Sequence, residues 1–207
     1  INNLKEEDRI QFKNTILELK ETTKSLKENA NHIHLIIKTL NDMQKEDSQT
    51  ISLIDIKSFF KDVIPLLSIE VDPKIQEGVI VNQEIEKNLP PVKGNVVLLK
   101  QVFINLYKNA CEAMLNTKDK LIEIRAKLDD IDKKNVIIEF KDTGPGIPDE
   151  ILSKLFTRGF TTKGKSGSGI GLSQAKAIIE KFGGSIAVES KLNEGTKFII
   201  KLPIYQD

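Results

Sequence analysis

The sequence is poor in residues on which several classes of protein depend. It has one cysteine, Cys111, and no tryptophan among 207 residues, so an internal disulfide is impossible and a reducing compartment is the simpler expectation. No run of 18 apolar residues occurs, so nothing in this segment is expected to span a membrane. No secretory signal is recognisable. The sequence therefore predicts a cytoplasmic location, either for the chain itself or as the cytoplasmic part of a longer, membrane-anchored protein.

Neither sign of charge dominates. The chain has 31 Lys and Arg against 30 Asp and Glu, for a net charge of +1. Proteins that hold nucleic acid through its phosphates usually carry a basic excess, so no nucleic-acid partner is expected. With 39% hydrophobic residues, the chain can still bury a substantial core. Its length suits one domain with an appendage, or two small domains.

Residues 1–47 contain neither glycine nor proline. Within them, apolar residues recur at every seventh position, at Phe12, Leu19, Leu26, Ile33 and Leu40. This heptad pattern predicts one long helix, or two helices folded back on each other. A coiled coil or helical bundle needs a partner surface, so we expect a homodimer through the N-terminal helices; the alternative is a solvated linker helix. We therefore divide the chain into a helical dimerisation segment, 1–48, and a second domain, 49–207.

The second domain alternates between helical and strand-like patterns. Helices are predicted over 54–69, where Pro65 is expected to break the helix, over 96–115 with Asn95 as N-cap, and over 172–182. Strands are predicted over 79–85, 121–128, 135–140, 185–189 and 197–202. The sequence therefore predicts an α+β fold, in which a mixed sheet carries helices on one face.

Glycine is concentrated between Asp142 and Gly171. Seven of the twelve glycines lie there: Gly144, Gly146, Gly159, Gly164, Gly167, Gly169 and Gly171. Backbone without Cβ atoms can approach a ligand closely, and several N–H groups can converge on one anion. The apolar segment that follows would place a helix N-terminus behind this loop. A phosphate-bearing ligand is the first hypothesis.

Three polar residues are candidates for contacting such a ligand. Asn105 and Asn109 are four residues apart in the predicted helix and share a face. An amide oxygen can ligate Mg²⁺; the alternative is a pair of hydrogen-bonded core amides. Asp142 ends a strand and opens a glycine turn, where a carboxylate can accept a hydrogen bond from an exocyclic amine such as that of adenine. The alternative for Asp142 is an ordinary turn-initiating Asp.

Four motifs, taken together, resemble a known family. They are Asn105-x-x-x-Asn109, DTGPGIP at 142–148, LFTRGFTTK at 155–163 and GSGIGL at 167–172. Their order and spacing resemble the N, G1, F and G2 boxes of the ATP-binding domain of sensor histidine kinases, over roughly residues 50–204. The resemblance implies a Bergerat-fold α/β sandwich and an ATP-dependent protein-histidine kinase of a two-component system. Such a kinase binds Mg²⁺-ATP and phosphorylates a histidine, from which a response-regulator receiver domain takes the phosphoryl group.

The same resemblance implies roles for individual residues. Asn109 would hold Mg²⁺ with Asn105 beside it, Asp142 would bind the adenine amine, and Lys163 would contact the γ-phosphate from a lid over residues 157–168. The remaining implied ATP-site residues are Gly144, Gly146, Ile147, Thr162, Gly167, Gly169, Gly171, Leu172 and Thr196. Related ATPases usually have a water-activating Glu at the position of Asn105. Because a neutral amide cannot act as that base, Asn105 favours phosphoryl transfer to a protein over steady hydrolysis.

The chain departs from the family pattern at two places. Many histidine kinases have a Lys near the end of the N box, where this chain has Glu112. The only histidines, His32 and His34, are the candidate phosphoacceptors, but neither is followed by an acidic residue or a proline motif. The acceptor could instead lie upstream of Ile1. Two alternatives for the function stay open: a nucleotide-binding interaction module without its own acceptor, and an anti-sigma-type serine kinase.

A competing motif overlaps the glycine segment. Residues 159–166 match the P-loop string GxxxxGK[ST]. A P-loop requires a preceding strand and a helix that starts at the Lys-Ser pair. The preceding ILSKLFTR lacks strand alternation, and the later glycines disfavour a helix start there. The GSGIG string also falls short of a dinucleotide-binding fingerprint.

Overall fold

The structure is a computed structural model that describes residues 15, 16, 18–20, 22, 23, 51–163 and 168–206. The described residues between 15 and 23 are helical, as the heptad pattern predicts. Most of the predicted dimerisation segment, 1–48, lies outside the described residues. So do His32, His34 and Gly167.

The described part of the second domain contains four helices and seven strands. The helices are α1 (Ile56–Glu70), α2 (Val96–Ala113), α3 (Asp149–Leu152) and α4 (Gly171–Lys181). The strands are β1 (Ser52–Ile54), β2 (Ile80–Ile85), β3 (Val92–Gly94), β4 (Leu121–Leu128), β5 (Asn135–Asp142), β6 (Ser185–Lys191) and β7 (Gly195–Pro203). Each predicted strand is present, and β5, β6 and β7 are longer than expected.

The main sheet has five strands in the order β2-β4-β5-β7-β6. The β2–β4 pair is parallel, and the other three pairs are antiparallel. Helix α2 provides the crossover that a parallel pair needs. The mixed sheet is thus confirmed. In its centre, β5 pairs along its whole length with residues 196–203 of β7, which places Asp142 directly opposite Thr196.

Alternation along the strands decides which face of the sheet is buried. In β4 and β5, every second side chain is in the core: Ile122, Ile124, Ala126, Val136, Ile138 and Phe140. The buried residues of α1, α2 and α4 belong to the same core. The opposite face carries exposed charge pairs such as Arg125–Glu84 and Lys197–Glu189. The predicted arrangement of helices on one face is therefore confirmed.

A group of phenylalanine rings ties the helices to the sheet. Phe60 of α1 meets Phe103 of α2 edge to face, with ring centroids 4.8 Å apart. Phe103 also lies 6.5 Å from Phe140 of β5. Both are spacings at which aromatic pairs attract beyond simple area burial. The helix that carries Asn105 and Asn109 is thus fixed in position against the sheet.

Pro65 does not break helix α1, contrary to the expectation from sequence. The helix runs through it to Glu70, although proline removes one hydrogen bond and crowds the preceding turn. Val63 and Leu67, on either side of Pro65, are buried in the core, whereas Pro65 itself is exposed. Packing of the apolar face therefore outweighs the local preference of the backbone.

The two-stranded sheet β1–β3 is attached to the main sheet near the chain's end. Val92 forms a bridge with Ile204, and the Tyr205 N–H donates to the Pro91 carbonyl at 2.7 Å.

Among the described residues, no helix has the length and hydropathy that crossing a bilayer would require.

Candidate functional site

Helix α2 starts where the sequence predicts. The side chain of Asn95 accepts a hydrogen bond from the Leu98 N–H at 3.0 Å, which confirms Asn95 as the N-cap. The inner face of the helix is apolar and fully buried at Val102, Phe103 and Leu106. This burial fixes the rotation of the helix, so that Asn105 and Asn109 lie side by side on its half-buried margin.

Asn105 connects α2 to the start of α4. Its side-chain amide donates to the Gly171 carbonyl at 3.2 Å, and its oxygen accepts from Gln101 at 3.3 Å. A Cβ atom added to Gly171 would lie 3.6 Å from the Asn105 Cγ atom, an ordinary contact. Asn105 therefore holds the N-terminus of α4 against the Asn109 face of α2. The two motifs that the sequence places far apart are adjacent in space.

Asn109 accepts a hydrogen bond from a cationic side chain. The Lys163 Nζ atom donates to the Asn109 Oδ1 atom at 3.1 Å. The same ammonium donates to the Glu112 Oε2 atom, one turn further along α2. The structure thus places Lys163 against Asn109, two residues to which the resemblance gives separate roles at one site. It also adds Glu112, which the sequence argument treated only as a departure from the family pattern.

Asp142 is a buried carboxylate at the end of β5. Its residue is 4% exposed, and its Oδ1 atom accepts from the Gly144 N–H at 2.8 Å. Burial raises the pKa of Asp142 to about 6, while hydrogen bonds from the backbone of Gly144 and Thr196 act in the opposite direction. With a pKa of about 6, the group is mainly ionised at neutral pH, so it is available as a hydrogen-bond acceptor.

The glycine turn after Asp142 passes very close to the turn between β6 and β7. Gly146 has φ +74°, and a Cβ atom there would lie 2.1 Å from the Lys191 carbonyl oxygen. The next residue, Ile147, donates its N–H to the Ser190 Oγ atom at 2.8 Å. No side chain other than hydrogen fits at 146. This position therefore requires glycine for both its φ angle and its contact distance.

Ser190 is a site residue that the sequence argument missed. Its hydroxyl accepts from Ile147, donates to the Gly195 carbonyl at 2.8 Å and lies 3.1 Å from the Thr196 Oγ1 atom. It thereby joins the glycine turn to β7 beside Asp142. A serine at the end of a strand-like run is too common in sequences to have drawn attention.

A second part of the candidate site is formed by backbone on either side of residues 164–167, which are outside the described residues. The Gly159 N–H donates to the Gly169 carbonyl at 2.9 Å. Gly169 has φ +63°, and a Cβ atom there would lie 2.4 Å from the Gly159 carbonyl carbon. Helix α4 then begins at Gly171. The first N–H groups of a helix have no acceptor within the helix itself, and such a terminus can bind phosphate.

The remaining predicted residues occupy less distinctive positions. Leu172 is partly buried against the core, and Thr162 is exposed beside Lys163. The P-loop alternative is not supported, because residues 153–158, where that motif requires a strand, form turns. Within residues 168–206, the first helix begins at Gly171.

Family comparison matches most of the described domain. The model of the histidine kinase-, DNA gyrase B-, and HSP90-like ATPases matches residues 94–206. Sporulation kinase E of Bacillus subtilis strain 168 is 34% identical over 152 residues, which are 73% of this chain and 20% of that protein. Sensor kinase CckA of Brucella abortus strain 2308 is 33% identical over 195 residues, which are 86% of this chain and 20% of that protein. The chain thus spans about a fifth of the length of these relatives.

Solved structures agree with the family comparison. The catalytic domain of histidine kinase ThkA matches with a TM-score of 0.63 and 29% identity, over 75% of this chain and 99% of that one. Full-length ShkA in complex with AMPPNP also gives a TM-score of 0.63, over 76% of this chain and 32% of that one. At 24% identity, this second match supports the fold alone. The predicted Bergerat-type fold is confirmed.

Proposed function

Because the chain belongs to the family of histidine kinase-, DNA gyrase B-, and HSP90-like ATPases, we propose that it is the catalytic core of a sensor histidine kinase. It binds Mg²⁺-ATP and transfers the γ-phosphoryl group to a histidine, and a response-regulator receiver domain then takes that group. The N-terminal segment, 1–48, forms the homodimer, and residues 49–207 form the ATP-binding domain.

The adenine end of ATP is assigned to Asp142. Its buried carboxylate accepts two backbone hydrogen bonds, which leaves acceptor capacity for the exocyclic amine of adenine, since a carboxylate offers about four lone-pair sites. Gly144 and Gly146 bring backbone close enough to pack against the base. Thr196, which is buried and hydrogen-bonded to Ser190, closes the pocket beside Asp142.

The phosphate end is assigned to α2, Lys163 and the N-terminus of α4. The oxygen of Asn109 already accepts from a cation, so its position and chemistry fit a Mg²⁺ ligand. When bound, Mg²⁺ neutralises charge on the phosphates and helps to align them. Lys163 would contact the γ-phosphate, and the N–H groups near Gly169 and Gly171 would donate to phosphate oxygens. Catalysis of phosphoryl transfer is mainly such positioning and charge neutralisation.

The identity of Asn105 favours transfer over hydrolysis. Its amide donates to Gly171 and accepts from Gln101, and a neutral amide cannot remove a proton from water. The acceptor imidazole would take the γ-phosphoryl group directly. His34 and His32 are the candidate acceptors within this chain.

The observation that carries this proposal is the contact of Asn109 with a cation, next to the N-terminus of α4 and in the same domain as a buried Asp142. We expect Asn109→Ala to lower affinity for ATP in Mg²⁺ by about two orders of magnitude or more, because it removes a metal ligand. Fluorescent-nucleotide titration measures this loss. Asn82→Ala, an exposed change on the edge strand β2, is the control and should bind like the unchanged chain.

The same preparation tests the transfer step with γ-labelled ATP. Acid-labile, base-stable label that disappears in His34→Gln or His32→Gln would support the kinase and identify its acceptor. Acid-stable label would indicate a serine kinase instead. Binding without any label, even after a separate acceptor helix is supplied, would favour a nucleotide-binding interaction module. Unchanged ATP affinity in Asn109→Ala would contradict the assignment of the site.

A further inference from the structure

Two oxygen atoms of helix α2 point at one cation. The Asn109 Oδ1 atom and the Glu112 Oε2 atom both accept from the Lys163 Nζ atom. Because the two residues are three positions apart in a helix, their side chains lie on the same face. Lys163 lies more than fifty positions away from both residues in the sequence. The contact is therefore a tertiary contact and not one between residues that are close in sequence.

An amide oxygen next to a carboxylate oxygen is a donor set for a hard cation. Mg²⁺ is bound by oxygen ligands, commonly one or two carboxylates together with substrate phosphates and water. An ammonium group carries three donors and no acceptor, so it can occupy the same kind of position as a metal ion. In this structure, the Lys163 ammonium marks where a cation is stabilised by both oxygens.

We propose that Asn109 Oδ1 and Glu112 Oε2 together define one cation position, which the Lys163 ammonium and Mg²⁺ occupy in turn. This inference rests on the proposed function and adds two points to it. Glu112 becomes part of the metal position, and Lys163 becomes a competitor of Mg²⁺ as well as a phosphate contact.

The exposure of the groups makes such an exchange feasible. The side chains of Lys163 and Glu112 are 38% and 23% exposed, so solvent screens their ion pair and limits its strength. A divalent ion attracts the two oxygens more strongly than an ammonium does. Binding of the divalent ion would release Lys163. The negative phosphates that accompany the metal would then attract the Lys163 ammonium. The negative charge of Glu112 offsets part of the positive charge at this position, whether Lys163 or Mg²⁺ occupies it.

Mg²⁺ titration in the presence of a fluorescent ADP analogue tests the inference. ADP lacks the γ-phosphate, so the proposed γ-phosphate contact of Lys163 does not enter the measurement. We expect Lys163→Met to lower the Mg²⁺ concentration for half-maximal nucleotide binding about two- to fivefold, because the internal competitor is lost. We expect Glu112→Gln to raise that concentration about two- to tenfold, because a charged ligand is lost.

Lys108→Met is the matched control. Lys108 lies 3.9 Å from Glu112 on the same helix, so the change removes one positive charge near the same carboxylate without removing the Lys163 contact. It should shift the Mg²⁺ midpoint less than twofold. A midpoint that stays the same or rises in Lys163→Met would overturn the competition. A midpoint that stays the same or falls in Glu112→Gln would mean that Glu112 only tethers Lys163.

Failure of this inference is distinguishable from failure of the proposed function. If the unchanged chain binds the ADP analogue at no Mg²⁺ concentration, the nucleotide site itself is wrong. If it binds in a Mg²⁺-dependent manner and both variants share its midpoint, only the shared cation position is rejected. Thermal unfolding of each variant checks that the fold is retained.

Discussion

The two ends of the candidate nucleotide site are built on different physical principles. At the proposed adenine end, Asp142 is buried and accepts from backbone N–H groups, and Thr196, opposite it on β7, is hydrogen-bonded to Ser190. At the proposed phosphate end, Lys163 is joined to Asn109 by a hydrogen bond and to Glu112 by an ion pair, and the side chains of Lys163 and Glu112 are partly exposed. The first end is fixed by strand pairing, whereas the second depends on side chains that can exchange partners.

This difference matches what each end would have to do. A base is neutral and does not change during phosphoryl transfer, so it can be held by a rigid pocket whose hydrogen bonds are set in advance. Phosphates and Mg²⁺ arrive and leave with large changes of charge, which an exposed and rearrangeable group of ions can accommodate at low free-energy cost. Mutations at the two ends should therefore have different signatures.

The largest effect is expected from adding a methyl group to the glycine turn at the adenine end. Gly146→Ala places a Cβ atom 2.1 Å from the Lys191 carbonyl oxygen at φ +74°, so we expect a loss of about 3 kcal/mol or more in stability. Gly159→Ala, at the phosphate end, has φ +81° but meets no described residue within 4 Å. It should lose only about 1–2 kcal/mol. Chemical denaturation measures both; equal losses would contradict the contrast.

The next effect concerns the cost of burying Asp142. Its pKa is raised to about 6, so the unfolded chain ionises first and stability is lost as pH rises from about 4 to about 6. Asp142→Asn should remove this loss and raise the free energy of unfolding at pH 7 by about 1–3 kcal/mol. The same change should weaken ATP binding about 10- to 100-fold, because the amide replaces a charged acceptor.

Asp129 provides a control for that experiment, because its pKa is shifted in the opposite direction. The Ile131 N–H and the Lys201 ammonium lower its pKa, so its contribution is present at neutral pH and is lost as pH falls. Asp129→Asn should therefore lower stability at pH 7 and leave ATP affinity unchanged. Denaturation curves that extend below pH 4 separate the two cases, because the Asp129 contribution is lost only below the ordinary carboxyl pKa, whereas the Asp142 loss develops between about pH 4 and about pH 6. Parallel pH profiles for both variants would contradict the assigned shifts.

A smaller effect is expected at Ser190. Ser190→Ala removes the acceptor of the Ile147 N–H and the donor to the Gly195 carbonyl, which should cost about 1–2 kcal/mol in stability. Because this change loosens the glycine turn beside Asp142, it should weaken ATP binding without altering its dependence on Mg²⁺. A shift of the Mg²⁺ midpoint in this variant would show that the two ends are not independent.

Much of the fold and of the site could be predicted from the sequence, because local chemistry decides it. Period-two alternation predicted the central strands, and Asn95 predicted the start of α2. The concentration of glycine between Asp142 and Gly171 indicated the candidate site. These signals work because each depends on neighbouring residues only. Asn109 and Asp142 were candidates from the chemistry of amides and carboxylates, whereas Lys163 came only from the resemblance in motif order; the roles of all three in nucleotide binding stay proposals.

The remaining features depend on contacts between distant residues. Pro65 stays within α1 because Val63 and Leu67 pack in the core, which no local preference reveals. The hydrogen bonds of Ser190 exist only because the β6–β7 turn lies under the glycine turn. Likewise, the ion pair of Glu112 with Lys163 becomes visible only in the folded structure, because the two residues are far apart in the sequence. The acceptor histidine and the dimer stay predictions, since the residues concerned lie outside those described.

The pairing of β5 with β7 has a consequence for the order of folding. Strands β4 and β5 form one hairpin closed by residues 129–134, and β6 and β7 form another closed by residues 192–194. Short loops close at low entropic cost, whereas joining the hairpins requires a much longer closure. Asp142 and Thr196 face each other only across that junction. The proposed adenine pocket therefore requires both hairpins to be joined, and neither hairpin forms it alone.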